Sequence, residues 1–339
     1  MKKLAVTLAA AMIMMMIIAL TGCGTDSTSP LITYVARASS DSYAPHLFIL
    51  NATTQQSTAV AIPIPASAFH VASNSDATKV VYTRNDSTGW DIFLMGKDGT
   101  EKQLTTGLDA WAPTFSPDGK TIAFYNYLSS SSSIVTMNLD GSNQTALYGT
   151  ASGVYSYYPQ FSPDGKSVSF FLYVSGCNCA SQHRQGATEE ASRLHAQNSY
   201  PATAVRASVG AQVATPTTGW YTMALTATTP TLAYATTNWW GPAVYSGDGK
   251  KLLTTHYDGT QWNVFSVNLD GTALTPLTTI TDTFSISAVP NKNLILFSRY
   301  NSTNSSYDIY AMDQAGANQT LVSSTASTTE YLIDSYWGD

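Results

Sequence analysis

The chain is short of charge. Only 11% of its 339 residues are Asp, Glu, Lys or Arg, less than half of the roughly 25% found in typical soluble domains. The 16 basic and 22 acidic residues give a formal net charge of -6. Binding to phosphate backbones or anionic lipid surfaces needs clustered Lys and Arg, and the sequence has no such run. We therefore expect no nucleic-acid partner, and any attachment to a membrane must come from another feature.

Cysteine, glycine and proline are also few. Three Cys exclude a small scaffold held together by many disulfides. The 22 Gly and 14 Pro exclude collagen-like and proline-rich chains. Hydrophobic residues make up 44% of the chain, which is enough to bury a core at this length.

The N-terminus has the features of an export signal. Lys2 and Lys3 precede an uncharged apolar run at 4–20, and small residues follow at 21–23. This order predicts a signal peptide over residues 1–22. Its removal takes away two of the 16 basic residues and leaves 14 against 22 acidic ones, a net charge of -8. An ordinary cleaved signal and an uncleaved membrane helix are the alternatives, although the apolar run is barely long enough to span a bilayer.

The sequence LTGC at 20–23 resembles the lipobox of bacterial lipoproteins. The resemblance implies that Cys23 is lipidated and becomes the first residue of the mature protein. Several acyl chains on Cys23 would anchor the protein stably, whereas one chain would not. Residues 23–30 would then form a polar tether. In that family an Asp after the Cys favours the inner membrane, so Gly24 implies a cell-envelope protein of the outer membrane, where the cell has one.

A short turn motif recurs along the rest of the chain. The string FSPDGK at 115–120 returns at 161–166 and, as YSGDGK, at 245–250, with weaker copies at 73–77 and 289–293. The Ser positions are separated by 43 (73 to 116), 46 (116 to 162), 84 (162 to 246) and 43 (246 to 289) residues. An Asp-Gly pair forms a second marker, at 98–99, 140–141 and 270–271, and weakens to DQAG at 313–316.

The chemistry of this motif is that of a tight turn between strands. Pro presets φ, Asp bonds back to the backbone, and Gly supplies a positive φ. β-rich runs flank each copy, so the repeat holds four short strands in about 43 residues, which is the pattern of a propeller blade. A sandwich also has short strands, but it does not predict a turn that recurs at blade length.

This repeat resembles the TolB-like, or WD40-like PD40, β-propeller family over residues 31–339. The resemblance implies an all-β, six-bladed propeller. The first blade lacks its innermost strand, and we expect the C-terminal segment 330–338 to supply that strand and close the ring. Seven blades are the alternative, because the spacing of 84 is about two periods. TolB itself has an additional N-terminal domain, and we expect none ahead of this propeller.

The fourth blade is predicted to carry an insertion at 175–218. Loops of this length in a compact domain are usually functional, and we expect a mobile flap. Cys177 and Cys179 lie in it, either as a disulfide or as two exposed thiols. With His183 they form Cys-x-Cys-x₃-His, which departs from the usual zinc spacing, so no metal is expected.

Catalytic motifs are missing from the sequence. It contains no G-x-S-x-G elbow, no H-E-x-x-H, no P-loop and no nucleotide-binding glycine motif. The five His residues show no ligand spacing. We therefore expect a monomeric, non-enzymatic binding scaffold without a cofactor, whose partner is an envelope protein. The alternatives are a glycan or small-ligand binder and a propeller lyase or hydrolase.

Aromatic residues at the starts of blades are the candidates for contact: Trp111, Tyr157, Trp239 and Trp337. They either wedge between blades as core or line the mouth of the channel as a binding face. In a four-stranded blade these residues and the insertion share the face opposite the short turns. We therefore predict that a partner binds that face.

Overall fold

Antiparallel strands follow one another along the chain in short meanders. The computed structural model describes residues 31–37, 44–51, 56–175, 216–236, 243–257, 260–279, 283–288, 293–303 and 306–323. These ranges hold 23 strands and no helix, and so none that is long and apolar enough to cross a membrane. The prediction of an all-β fold is confirmed. The signal peptide, the tether, the segment 330–338 and the residues Cys23, Cys177, Cys179, Trp239 and Trp337 lie outside the described ranges.

The described strands group into meanders 1 to 6 in chain order. Meander 1 has the strands β1 (Leu31–Arg37), β2 (Pro45–Asn51) and β3 (Gln56–Val60). Meander 2 has β4 (Phe69–Ser73), β5 (Lys79–Asn85), β6 (Trp90–Gly96) and β7 (Glu101–Gln103). Meander 3 has β8 (Ala110–Phe115), β9 (Thr121–Leu128), β10 (Ser131–Asn138) and β11 (Thr145–Gly149).

The second half of the chain continues in the same way. Meander 4 has β12 (Val154–Phe161), β13 (Ser167–Val174), β14 (Gly219–Ala224) and β15 (Thr231–Ala235). Meander 5 has β16 (Val244–Tyr245), β17 (Lys251–Tyr257), β18 (Trp262–Asn268) and β19 (Thr275–Pro276). Meander 6 has β20 (Thr283–Ala288), β21 (Ile295–Asn301), β22 (Ser306–Met312) and β23 (Thr320–Ser323).

Each strand of a meander pairs with the next one along the chain. Meander 1 is a three-stranded sheet, and meanders 2, 5 and 6 are four-stranded sheets. Meanders 3 and 4 merge into one eight-stranded sheet through a single parallel pair, Ser131 with Val154. Strand β13 pairs directly with β14, from Ser167–Ala224 to Leu172–Gly219. Residues 176–215 therefore connect two neighbouring strands of meander 4.

The Ser-Pro-Asp-Gly strings form the turns between first and second strands. In the 116–121 copy the Gly119 N–H donates to the Ser116 carbonyl at 2.9 Å, and Gly119 has φ of 65°. The Ser116 hydroxyl donates to Asp118 Oδ1 at 2.6 Å and accepts from the Thr121 N–H at 2.9 Å. The same side-chain bonds form around Ser162 and Ser246. Serine therefore ties the turn to the strand that follows it.

The weaker copy at 73–77 reaches the same turn with other residues. Asn74 takes the place of the serine, and its Oδ1 accepts from the Lys79 N–H at 2.8 Å. The Ala77 N–H donates to the Asn74 carbonyl at 3.1 Å, and Ala77 has φ of 55° where the other copies have glycine. An L residue in this region is strained, and the Asn74 bonds hold it there.

The Asp-Gly turns bring neighbouring meanders into close contact. A Cβ added to Gly141 would lie 2.8 Å from the carbonyl oxygen of Leu104 in the preceding meander. The corresponding distances are 2.7 Å from Gly271 to the Ala233 oxygen and 2.3 Å from Gly316 to the Leu277 oxygen. All three glycines have φ between 81° and 84°. Glycine is required there both for its conformation and for the room that it leaves.

The core lies between the meanders. Trp111, Phe115, Phe124 and Phe170 are among the largest fully buried side chains. One apolar cluster joins the first meander to the last, with Tyr34 and Leu50 of meander 1 packed against Leu296, Ile309 and Ala311 of meander 6.

Candidate functional site

The two ends of the strands differ in chemistry. Ser-Pro-Asp-Gly and Asp-Gly turns meet at one end, as the bond from the Leu139 N–H to the Lys120 carbonyl shows. We call this end the turn face and the opposite end, where β9 joins β10 and each meander leads into the next, the link face. In meanders 3 and 4 the turn face carries Asp118, Lys120, Asp140, Asp164 and Lys166. Among the described residues from 108 to 236, Asp109 is the only charged one at the link face.

Three tyrosines form a stacked row at the link face. Tyr127 is the second-last residue of β9, and Tyr173 is the second-last residue of β13. Tyr155 is the second residue of β12. The Tyr127 and Tyr155 rings lie 5.5 Å apart at 12°, and the Tyr155 and Tyr173 rings 6.4 Å apart at 29°. Tyr155 and Tyr173 are direct cross-strand partners. All three are partly exposed, and we call them the tyrosine row.

Three inner tyrosines lie next to this row. Tyr157 stacks on Tyr155 at 6.3 Å, meets the Tyr125 ring edge-on at 5.3 Å, and lies 6.2 Å from Tyr158. Tyr125 is buried, whereas Tyr157 and Tyr158 are partly exposed. The row and the inner tyrosines together form one continuous aromatic surface, which we call the tyrosine patch.

A repeated β-bulge positions the innermost strands beside this patch. The register shifts between Phe69 and Ala72, between Trp111 and Thr114, and between Tyr157 and Gln160. The bulged residues His70, Ala112 and Tyr158 have φ of 47°, 46° and 53°. A bulge redirects side chains and is common beside functional sites. It brings the His70 ring within 5.9 Å of Trp111 and 6.0 Å of Tyr158.

Of the two described candidates for contact, one is core and one is at the surface. The Trp111 side chain is fully buried, packs 4.2 Å from the Trp90 ring, and donates its Nε1–H to Asp109 at 2.7 Å. Because the meanders enclose it, Trp111 offers no surface to a partner. It is therefore not a contact residue, and of its two predicted roles it has the one in the core. Tyr157 is partly exposed and belongs to the tyrosine patch.

Burial keeps three phenols of the patch, those of Tyr127, Tyr157 and Tyr158, protonated at neutral pH. Burial raises the pKa of Tyr127 to about 12, with further contributions from Tyr155 and Asp109. Burial also raises the pKa values of Tyr157 and Tyr158 well above their usual range. At neutral pH these three side chains therefore present uncharged hydroxyls, which both donate and accept hydrogen bonds.

Comparisons with known proteins bear on the fold. No protein-family model matches the sequence, and no curated protein matches it. Solved structures do match. TolB from Acinetobacter baumannii aligns with 91% of this chain and 67% of its own, at 19% identity and a TM-score of 0.58. A TolB candidate from Agrobacterium tumefaciens aligns with 92% of this chain and 98% of its own, at 13% identity and a TM-score of 0.59. The fold is that of a TolB-like β-propeller.

Other propellers share the architecture at greater distance. An oligogalacturonate lyase from Vibrio parahaemolyticus aligns with 86% of this chain and 72% of its own, at 13% identity and a TM-score of 0.51. Such identities concern the fold alone. The function of this TolB-like propeller must therefore be argued from its own surface.

Sequence reasoning missed the tyrosine row of this TolB-like propeller. It singled out aromatics at blade starts, but two members of the row, Tyr127 and Tyr173, end second strands. The available signal was the spacing of Tyr127 and Tyr173 from the turn motif, at eleven residues after Ser116 and Ser162 (116 to 127, 162 to 173). Within the described ranges no three His, Cys, Asp or Glu side chains gather as metal ligands would.

Proposed function

We propose that the protein is a non-enzymatic binding scaffold of the cell envelope and that the tyrosine patch is its binding surface. The observation that carries the proposal is the stacked row of Tyr127, Tyr155 and Tyr173 in meanders 3 and 4, where Asp109 is the only charged residue described at the link face. Tyrosine provides a large, rigid contact area at a low cost in conformational entropy. Partly exposed aromatics of this kind dominate the energetics of binding surfaces.

The patch is well ordered before any partner arrives. Its members belong to paired strands, and Tyr125 and Tyr157 pack against the core formed by Ile134, Val154 and Phe170. A surface that is already rigid loses little freedom on binding. This preorganisation supports binding as the function of the patch.

The experiment compares two tyrosine variants in the native envelope. Tyr155→Ala removes the middle ring of the row, and Tyr307→Ala removes a partly exposed tyrosine that pairs with Tyr300 at 5.3 Å in meander 6. After crosslinking and affinity purification, we expect Tyr155→Ala to lose the wild-type adduct and Tyr307→Ala to keep it. Equal adducts from both variants would contradict the assignment of the patch.

Anchoring through Cys23 belongs to the same proposal. The lipobox-like sequence at 20–23 supports a lipid-anchored protein held at the outer membrane. Cys23→Ser should abolish labelling by palmitate and release the exported protein into the soluble fraction. Unchanged labelling of this variant would remove the lipoprotein proposal.

We further propose that the propeller has six blades and that the C-terminal segment completes the first. Meander 1 has three strands, whereas the other meanders have four each, and it packs against meander 6. Asp91 and Asp308 occupy equivalent sites, each opposite an arginine, Arg84 or Arg299. Asp91 accepts from the Thr105 hydroxyl and from the Gly107 and Leu108 N–H groups of the link to the next meander.

The corresponding carboxylate in meander 6, Asp308, indicates a similar link after that meander. Asp308 accepts from the Asn301 amide at 2.8 Å, and its other oxygen, Oδ1, is buried with no hydrogen-bond partner among the described residues. We propose that the chain after β23 supplies this partner. Deletion of 329–339 should then lower the melting temperature and promote aggregation through exposed edges. Wild-type melting of the truncated protein would argue against this closure.

A further inference from the structure

We infer that the tyrosine row binds a neutral oligosaccharide. The inference rests on the proposed function, since it assigns a ligand class to the same patch. It is carried by three properties of the row: the scarcity of charge among the described residues around it, the hydroxyl chemistry of its members, and the spacing of its rings.

Charge argues against an ionic ligand. Among the described residues from 108 to 236, the link face has one charged side chain, Asp109, and it already accepts a hydrogen bond from Trp111 Nε1 at 2.7 Å. Recognition of carboxylates, sulfates or phosphates uses Arg or Lys, and the residues described at this part of the link face include neither. Against these described residues, an anionic ligand would lose hydration without gaining a counter-charge.

The hydroxyl chemistry matches that of a sugar. A phenol and a sugar hydroxyl each donate one hydrogen bond and accept others, so a row of phenols can pair with a row of sugar hydroxyls in either sense. The Tyr127 and Tyr155 rings are nearly parallel, with their centroids 5.5 Å apart and their planes at 12°. The β9–β10 turn beside Tyr127 adds the exposed Ser129 and Ser130.

The shape of the row fits a linear ligand better than a protein surface. The centroids of successive rings in the row are 5.5 and 6.4 Å apart, and each distance is close to the length of one pyranose unit. A stable protein interface covers about 800 Å² on each partner and has an apolar centre. The described large aliphatics with the highest exposure lie elsewhere, near the turn-face ends of outer strands: Leu232, Leu274 and Leu321.

The test is a binding titration of the full-length protein with defined hexasaccharides. Neutral probes are the hexamers of glucose, xylose and N-acetylglucosamine, and hexagalacturonate is the anionic probe. We expect at least one neutral hexamer to bind and hexagalacturonate to bind no tighter. Because burial keeps Tyr127 and Tyr157 protonated, the affinity should not change between about pH 6 and pH 9.

Variants locate the site and separate the contribution of the ring from that of the hydroxyl. Tyr155→Ala should weaken binding of the neutral hexamer about tenfold or more. Tyr155→Phe keeps the ring and should weaken it by about two- to tenfold, the worth of one hydrogen bond. Tyr307→Ala should leave it unchanged. Circular dichroism and melting of each variant separate a lost contact from a lost fold, and Tyr155→Phe tests the inference even if Tyr155→Ala is unstable.

The outcomes distinguish this inference from the proposed function. If no neutral hexamer binds while the envelope adduct still depends on Tyr155, the saccharide inference is overturned and the binding scaffold stands. Tighter binding of hexagalacturonate, or neutral binding that ignores both Tyr155 variants, also overturns it. If neither hexamer binding nor the adduct depends on Tyr155, the patch itself is not a binding surface.

Discussion

The turn face and the link face are built on opposite principles. At the turn face the same backbone bonds recur around Ser116, Ser162 and Ser246, and the turns at Gly141, Gly271 and Gly316 lie against the backbone of the preceding meander. At the link face the tyrosine patch occurs once, in meanders 3 and 4. The repeated face is thus explained by the requirements of the fold. The tyrosine patch, which does not recur, is the feature of the link face that needs a functional explanation.

The largest effect should come from filling the space that a turn-face glycine leaves. Gly141→Ala forces a Cβ to 2.8 Å from the Leu104 carbonyl oxygen at φ of 84°. We expect a loss of about 2–5 kcal/mol in the free energy of unfolding, from backbone strain together with overpacking. Denaturant melts measure it.

Gly119→Ala is the matched control for this substitution. Gly119 has φ of 65°, but a Cβ there meets nothing within 4 Å. Its cost should be the conformational one alone, about 1–2 kcal/mol. Equal losses in the two variants would mean that contact between neighbouring meanders does not restrict the Asp-Gly turns.

The next largest effect should come from the link side of meander 2. Asp91 is fully buried and accepts from the Thr105 hydroxyl at 2.7 Å and the Gly107 N–H at 3.0 Å. Asp91→Ala leaves these donors unpaired and should cost about 2–4 kcal/mol in thermal or chemical unfolding. Asp86→Ala, at a more exposed carboxylate bonded to Thr88, should cost less than about 1 kcal/mol. The reverse order would refute the role given to Asp91.

Acid pH should lower the stability of the turn face, and alkaline pH that of the link face. Hydrogen bonds from Ser116, Ser162 and Ser246 hold the pKa values of Asp118, Asp164 and Asp248 below their usual range. A carboxyl with a lowered pKa in the folded state stabilises above its ordinary pKa, and that stabilisation is lost as pH falls below about 4. Melting of wild type against Asp164→Asn across acid pH measures this loss, and identical acid profiles would contradict it.

The link face should lose stability in alkali instead. Burial raises the pKa values of Tyr125 and Tyr157, so the folded protein keeps protons that the unfolded chain releases above about pH 10. Stability therefore falls as pH rises from there towards the folded pKa values. Tyr157→Phe should flatten this alkaline loss, and an unchanged slope in melting against pH would count against the burial of that phenol.

A smaller effect is expected from a single turn hydroxyl. Ser162→Ala removes the bonds to Asp164 Oδ1 at 2.6 Å and from the Ser167 N–H at 3.0 Å. We expect a loss of about 1 kcal/mol, as for other side-chain caps of backbone groups. Calorimetric melting of this variant checks the estimate, and a loss as large as that of Gly141→Ala would mean that the hydroxyl does more than tie the turn.

The smallest effect is expected from reversing charge on the turn face. Lys120→Glu and Lys166→Glu alter exposed residues far from the tyrosine patch. The envelope adduct and the saccharide affinity should both stay at wild-type levels. Loss of the adduct in these variants, with Tyr155→Ala unaffected, would move the binding surface to the turn face.

The two faces also differ in how far the sequence predicts them. Turn chemistry is local, so Ser-Pro-Asp-Gly at 116–119 indicates its own geometry and, by recurrence, the strands around it. The altered copy at 73–77 was recognisable, but its register was predicted one residue too early, because Asn74 and not Ser73 takes the place of the serine. The tyrosine row depends on contacts between strands of two meanders, such as Tyr127 with Tyr155. No local sequence pattern predicts that those rings meet. The burial of Trp111 likewise depends on packing between neighbouring meanders.

The close approach of the Asp-Gly turns also limits how the molecule can change over evolutionary time. A turn that touches the backbone of the preceding meander, as Gly316 does with Leu277, has no room for an added residue. The connection between β13 and β14 opens at the other end of the strands and accommodates residues 176–215. Insertions can accumulate at the link face while the turn face keeps its length. New binding properties can therefore arise without disturbing the contacts that hold the blades in order.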